Sequence, residues 1–141
     1  MSFVTLGCAD RAALTAFYED VIGLKNVGPD GMTIFDMGGF LFGLWENDKL
    51  ADDAGVALGE NTGFKGAALA YNARSVEEVD AMFAALAEKG VEITTAPHKA
   101  FWGGYSGYFA DPEGNAWEIA YNPFMALDDA GRVVLPKKED A

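Results

Sequence analysis

The sequence predicts an α+β fold in which two βαβββ modules form a curved mixed sheet around a cleft, and three observations predict it. An apolar helical stripe occurs twice: Leu14, Phe17, Tyr18 and Val21 are matched, under one constant shift, by Val79, Met82, Phe83 and Leu86. Each stripe is preceded by one short run of β-formers and followed by three, with glycine-rich turns between them. The second copy closes on a hairpin pattern that runs from Tyr108 to Tyr121. A βαβββ module has a helix for one sheet face only, so the uncovered faces of two such sheets are expected to line a cleft.

In chain order, Ser2 to Cys8 reads as a strand, and Asp10 as the N-cap of a helix that ends at Gly23, a plausible C′ residue. Three short strands are expected around Lys25 to Val27, Met32 to Asp36 and Phe40 to Trp45, with Gly28-Pro29-Asp30-Gly31 and Gly38-Gly39 as turns. Residues 46–63, mostly acidic and small, read as a linker, so that one domain contains modules at 1–45 and 64–123. In the second module Lys65 to Tyr71 is a strand, Ser75 and Glu78 form a capping box, and Gly90 follows the helix. Val91 to Thr95, Gly104 to Ala110 and Ala116 to Tyr121 supply its other strands. The tail, 124–141, carries Leu127 to Pro136, a pattern for a small hairpin or cover strand, and five terminal residues expected to fray.

The hairpin is the most legible segment. Asp111-Pro112-Glu113-Gly114 combines an Asx side chain that can bond the backbone ahead of it, a proline that sets φ, and a glycine free to take φ > 0. If Ala110 and Ala116 are the last paired residues, Tyr108 lies opposite Glu118 on one face, while Phe109, Trp117 and Ile119 share the other.

Composition narrows the partners. With 141 residues, 50% hydrophobic and 23% charged, the chain fits one globular domain with a core of its own. A formal net charge of −12 excludes the basic footprint that nucleic acid or an anionic membrane needs. No apolar run approaches the roughly 20 residues of a spanning helix, and no secretory signal opens the sequence, so a cytoplasmic protein is expected. The single Cys8 has no internal disulfide partner and reads as a small buried side chain at a strand end.

The arrangement resembles the glyoxalase/bleomycin-resistance/extradiol-dioxygenase superfamily, also called vicinal oxygen chelate proteins. The resemblance covers Phe3 to Pro123 and rests on Asp10, Phe17-Tyr18 and Gly23-Leu24 in the first module and on Asp111 to Glu118 in the second. Metal-dependent members place a His or Glu on the first strand of each module and a Glu or other ligand on the last. Carried onto this sequence, the four positions are Phe3, approximately Gly43, approximately Gly66, and Glu118. Only Glu118 can ligate, and one carboxylate does not hold Zn²⁺, Ni²⁺ or Fe²⁺. No metal and no other cofactor is therefore expected.

Replacing ligands by Phe and Gly turns the former metal centre into apolar space suited to an aromatic or aliphatic ligand. The ligand-contacting residues expected are Phe3, Thr5, Trp45, Trp102, Tyr105, Tyr108 and Glu118. The loop Ala100 to Gly107, glycines interleaved with aromatics, has two readings: a ligand-stacking loop, or a bulged strand whose rings fill the interior or a dimer contact. Glu118 is the one catalytic candidate. It either accepts structural hydrogen bonds, from Tyr108 among others, or binds a cationic group or moves a proton. His98, the only histidine, falls after Pro97 in an expected loop, as a surface residue or as a ligand or acid/base group beside the cleft.

Three readings of function follow, and whether the chain is an enzyme stays open. One is a metal-independent binding protein for a small molecule, like those that sequester antibiotics such as bleomycin. Another is a metal-dependent lyase or isomerase, or a ring-cleaving dioxygenase, against which the missing ligands weigh. The third is an interaction or regulatory protein whose exposed sheet edge or helix face makes a homodimer, an assembly that the resemblance also implies.

Overall fold

The computed structural model describes residues 1–60 and 63–135, so the expected fraying of the last five residues and the Pro136 end of the tail pattern lie outside it. The chain divides into two compact units. The first holds the described residues of Met1–Ala67 together with Asp111–Asn115, and the second holds Ala68–Ala110 and the described residues from Ala116 onward. The fold is α+β, as expected, with one mixed sheet in each unit.

In the first unit, β1 (Phe3–Cys8), β2 (Thr33–Asp36) and β3 (Leu41–Glu46) are ordered β1-β3-β2, with β1 parallel and β2 antiparallel to β3. The helix α1 (Arg11–Ala16) begins at Asp10, whose carboxylate accepts from the Ala13 N–H at 3.0 Å. It continues into a π-helical segment, Phe17–Ile22, that stops at Gly23 in the left-handed region (φ 86°). Leu14 and Tyr18 are fully buried, and the Tyr18 ring meets Phe42 edge-on at 5.3 Å and Phe35 at 5.8 Å. Val4, Leu6, Phe35, Phe42 and Leu44 thus belong to the helix-covered face, and register places Phe3, Thr5, Ile34, Leu41, Gly43 and Trp45 on the other.

Two expectations need correcting here. The strand expected at Lys25 to Val27 is a single bridge between Asn26 and Phe35. The Asn26 side chain accepts from the Gly28 and Ile34 N–H groups, and Pro29 has no N–H to extend a ladder. Part of the presumed linker is helical: α2 (Asn47–Ala54), with no buried residue, ends at Gly55 in the left-handed region (φ 68°). Its acidic composition hid a run of helix-compatible Ala, Leu, Lys and Asp.

The loop Asp111–Asn115 carries the densest polar cluster of this unit. Asp111 is 3% exposed. Its Oδ1 accepts from the N–H groups of Glu113 (3.0 Å) and Asn115 (2.9 Å), and its Oδ2 from the Tyr18 hydroxyl (2.7 Å) and Asn115 Nδ2 (2.7 Å). Gly114 supplies the positive φ (79°) that the turn needs. Nearby, Glu113 accepts from the Ala9 N–H at 2.6 Å.

The second unit orders its strands β4-β7-β6-β5, from β4 (Ala68–Ala73), β5 (Glu92–Lys99), β6 (Tyr105–Ala110) and β7 (Ala116–Tyr121). Its helix, α3 (Val76–Glu88), starts at Ser75, whose hydroxyl accepts from the Glu78 N–H at 3.1 Å. Val79, Phe83 and Leu86 are buried, the stripe anticipated from the repeat. Phe109 and Trp117 stack at 6.1 Å on the same face, and the Phe83 ring lies against Gly107, where a Cβ would stand 2.8 Å from it. Two starts and ends moved. Strand β4 begins at Ala68 rather than Lys65, since Gly66 takes a positive φ (77°) just before it. Strand β5 reaches Lys99, beyond the expected Thr95, through two irregularities in its pairing with β6. Pro97 is accommodated because β5 is an edge strand whose missing N–H breaks no ladder. His98 is consequently a strand residue opposite Ser106, not a loop residue. In the tail, β8 (Ala126–Leu127) and β9 (Val133–Val134) form the small hairpin, folded around Asp128, which accepts from the N–H groups of Ala130 and Arg132.

Replacing Tyr18 by Phe leaves the ring packing and removes one donor from the buried Asp111 carboxylate. Urea unfolding of Tyr18→Phe should show a loss of about 2 kcal/mol with an unchanged denaturant slope. Cys8, 1% exposed, donates to the Trp45 carbonyl at 3.2 Å, and burial, reinforced by the Glu113 and Glu46 carboxylates, raises its thiol from 9.0 to about 11. At pH 8 the native thiolate fraction then falls about a hundredfold, so Ellman's reagent should label Cys8 at an appreciable rate only after unfolding.

Candidate functional site

Strand alternation in the second unit separates two faces, and the one turned from α3 carries Thr95, His98, Ser106, Tyr108 and Glu118. In β6 and β7, Tyr108 pairs with Glu118, Ser106 with Ala120 and Ala110 with Ala116. Across the other ladders, Glu118 pairs with Ala70, Ala120 with Asn72, Tyr108 with Thr95 and Ser106 with His98. Two polar rows result: Thr95, Tyr108 and Glu118, and beside them His98, Ser106 and Asn72. Ala68, Ala70, Ala116 and Ala120 occupy the remaining β4 and β7 positions of the same face. Methyl groups leave room above a sheet that larger side chains would fill, and the polar atoms stand out from that floor.

Tyr108 and Glu118 form the central pair. The phenol faces the carboxylate across the ladder, and its pKa is raised above the ordinary 10.0 by burial first, then by the nearby Glu118 carboxylate. Both side chains are half-buried. A carboxylate beside a phenol keeps lone pairs for another donor.

Of the residues expected to contact a ligand, Tyr108 and Glu118 are neighbours on this face. Phe3, Thr5 and Trp45 share the face of the first sheet turned from Leu14 and Tyr18. There the Phe3 ring lies over Gly43: a Cβ at that position would stand 2.7 Å from Phe3 Cε1 and 3.2 Å from Met32 Cε. Tyr105 and Trp102 are placed otherwise. Tyr105 is an odd neighbour of Tyr108 and so projects toward α3, where its hydroxyl donates to Asp80 at 2.7 Å. Trp102 lies in the β5–β6 loop with its ring over Gly104. Ser106, 3% exposed, and Asn72 were not among the expected residues. Period-2 alternation from Tyr108 was the signal for Ser106, but Asn72 depended on where β4 begins.

The register also tests the metal-ligand positions. Gly43 is the third residue of β3 and Glu118 the third of β7, so they are counterparts in the two modules. Phe3 opens β1 and Ala68 opens β4, so the counterpart of Phe3 is Ala68 rather than Gly66. The four positions therefore hold Phe3, Gly43, Ala68 and Glu118. Three have no donor atom in the side chain, and among the described residues no three His, Cys, Asp or Glu side chains are grouped to hold a metal ion. This donor set does not fit the divalent ion of the metal-dependent members.

Two units, each a mixed sheet whose opening strand is followed by a helix and then by further strands, are the plan of a class of small-molecule-handling α+β proteins. The chain belongs to the Glyoxalase/Bleomycin resistance protein/Dioxygenase superfamily, whose family model matches residues 1–119. Among solved structures it is similar to a glyoxalase-related enzyme from Fulvimarina pelagi, at 32% identity over 96% of each chain with a TM-score of 0.85. It is also similar to a glyoxalase/bleomycin resistance protein/dioxygenase from Nocardioides, at 25% identity over 85% of this chain and 81% of that one with a TM-score of 0.76. A lactoylglutathione lyase from Agrobacterium tumefaciens is 25% identical over 88% of this chain and 94% of its own, with a TM-score of 0.71. No curated protein sequence matches the chain. Among the described residues no helix is long and apolar enough to cross a membrane.

The Tyr108 shift carries a sign. A phenol whose pKa is raised on folding contributes stability that is complete below the unfolded value near 10 and is lost as pH rises toward the folded value. Ultraviolet titration should find one tyrosine ionising later in the wild type than in Glu118→Gln. In that variant the value should fall toward 10 but stay above it, because burial remains.

Proposed function

We propose that this chain is a small-molecule binding protein of the superfamily that works without a bound metal. The observation that supports the reading most is the donor set: Phe3, Gly43 and Ala68 stand where metal-dependent members carry ligands, and the Phe3 ring covers Gly43. Thr5, Trp45 and Phe3 are the proposed ligand contacts of the first sheet, and Tyr108 and Glu118 those of the second. Trp102, in the glycine-flanked β5–β6 loop, is a further proposed contact.

The chemistry of the second sheet refines the ligand. An aromatic–carboxylate pair on an alanine floor, in a chain of net charge −12, favours a partly planar ligand with a cationic or hydrogen-bond-donating group. Ser106, Asn72 and His98 add further polar contacts along the adjoining row. We also propose that the chain assembles as a homodimer, with modules at 1–45 and 64–123, the segment 46–63 between them and the tail 124–141.

Metal content after equilibration with Zn²⁺, Ni²⁺, Mn²⁺ and Fe²⁺, measured by plasma mass spectrometry beside Glu118→Gln, should show no stoichiometric ion in either protein. Stoichiometric metal lost in the variant would overturn the reading in favour of a metal-dependent lyase or isomerase, or a ring-cleaving dioxygenase. Calorimetry against aromatic and cationic compounds should yield a stoichiometric isotherm, weakened about tenfold for cations by Glu118→Gln. No binding across the panel would count against it.

A further inference from the structure

The second unit has a cavity on the α3 side of its sheet, the face opposite Tyr108 and Glu118. Its volume is about 400 Å³, and its lining includes Val76 at the start of α3, Lys99, Tyr105, Tyr121 and the loop residues Gly103 and Gly104. That volume lies in the range of small-molecule sites, roughly 300–1,000 Å³.

Its wall is built by register. Lys99 pairs with Tyr105 across β5 and β6, and Tyr105 pairs with Tyr121 across β6 and β7, so one row presents an ammonium and two phenol rings side by side. The next residue in that row, Ala73 on β4, is too small to cover Tyr121. The β5–β6 loop closes on itself through Ala100 N–H to Gly104 O (2.8 Å) and Gly103 N–H to Ala100 O (3.0 Å), with Gly103 at φ 96°. That tight turn brings backbone, not side chain, to the rim.

The polar groups divide into used and unused. Tyr105 is pinned through its hydroxyl to Asp80, so its ring is a fixed wall. Glu78, on the first turn of α3, is engaged by the Tyr71 hydroxyl and the Arg74 N–H. Lys99, in contrast, takes part in none of the ion pairs among the described residues, which join Arg11 to Glu46, Lys49 to Glu46 and Arg132 to Asp128. The Tyr121 hydroxyl likewise has no hydrogen-bond partner among the described residues, so two donors and two ring faces remain in one cavity.

We infer that this cavity is a second ligand site, for a small planar anion such as an aromatic carboxylate. The ligand's ring stacks on Tyr105 and Tyr121, and its carboxylate takes the Lys99 ammonium and the Tyr121 hydroxyl. The polarity is the reverse of that proposed for the Tyr108–Glu118 face, so the two sites select different ligands.

The test titrates 2-naphthoate into the isotopically labelled full chain and follows backbone amide shifts, with uncharged 2-naphthalenemethanol as the comparison. Saturable shifts should centre on Lys99, Tyr105 and Tyr121. Lys99→Met, which keeps the aliphatic stem of an exposed residue, should weaken naphthoate by roughly three- to tenfold and leave the alcohol unchanged. Tyr121→Phe should weaken naphthoate by about threefold. Lys25→Met, the same charge change on an exposed residue of the other unit, should have no effect. Equal losses in Lys25→Met and Lys99→Met, shifts centred instead on Tyr108 and Glu118, or the absence of saturation would each overturn the inference.

Discussion

A buried carboxylate that forms no ion pair among the described residues organises the first unit. Asp111 takes hydrogen bonds from two backbone N–H groups, one amide and one phenol. An ionised group moved out of water is costly unless such donors replace its hydration, and charge-assisted bonds are about twice as strong as neutral ones. The phenol comes from Tyr18, in the π-helical segment that follows α1, far from Asp111 in sequence. One side chain therefore ties that segment to the turn 111–115, while its ring packs against Phe35 and Phe42 of the same unit. At the repeat-equivalent position the second unit has Phe83, a buried ring without the hydroxyl, and among the described residues of that unit no acid is buried.

Legibility in the sequence followed the range of the forces involved. The hairpin register was readable because Asp111, Pro112 and Gly114 determine the turn locally, and a turn of known length sets every pair beyond it, Tyr108 with Glu118 and Phe109 with Trp117 included. The helical stripes were readable because burial at a 3.6-residue period leaves a signature in composition. What depended on distant partners was not. His98 became a strand residue because pairing with β6 continues past two irregularities and the edge position tolerates Pro97. The Lys25 to Val27 strand dissolved because Asn26 satisfies backbone groups with its own side chain.

The same distinction applies to the candidate site. Tyr105 looked like a companion of Tyr108 in an aromatic loop, yet three positions along a strand reverse the face, and a hydroxyl bond to Asp80 holds Tyr105 on the helix side. The position set at approximately Gly66 moves to Ala68, because a glycine at positive φ ends the preceding loop and the ladder begins at Ala68. Neither change adds a metal donor: one exchanges glycine for alanine, and the other takes Tyr105 off this face.

The two modules carry opposite side-chain chemistry at equivalent places. At the third position of the strand paired with the opening strand, one module has Gly43 roofed by the Phe3 ring and the other has Glu118 opposite Tyr108. A glycine beneath a ring offers a flat apolar surface and no charge, whereas a carboxylate beside a phenol offers acceptors on a floor of alanine methyls. The strand plan is shared by the two modules, and the chemistry set on it is not.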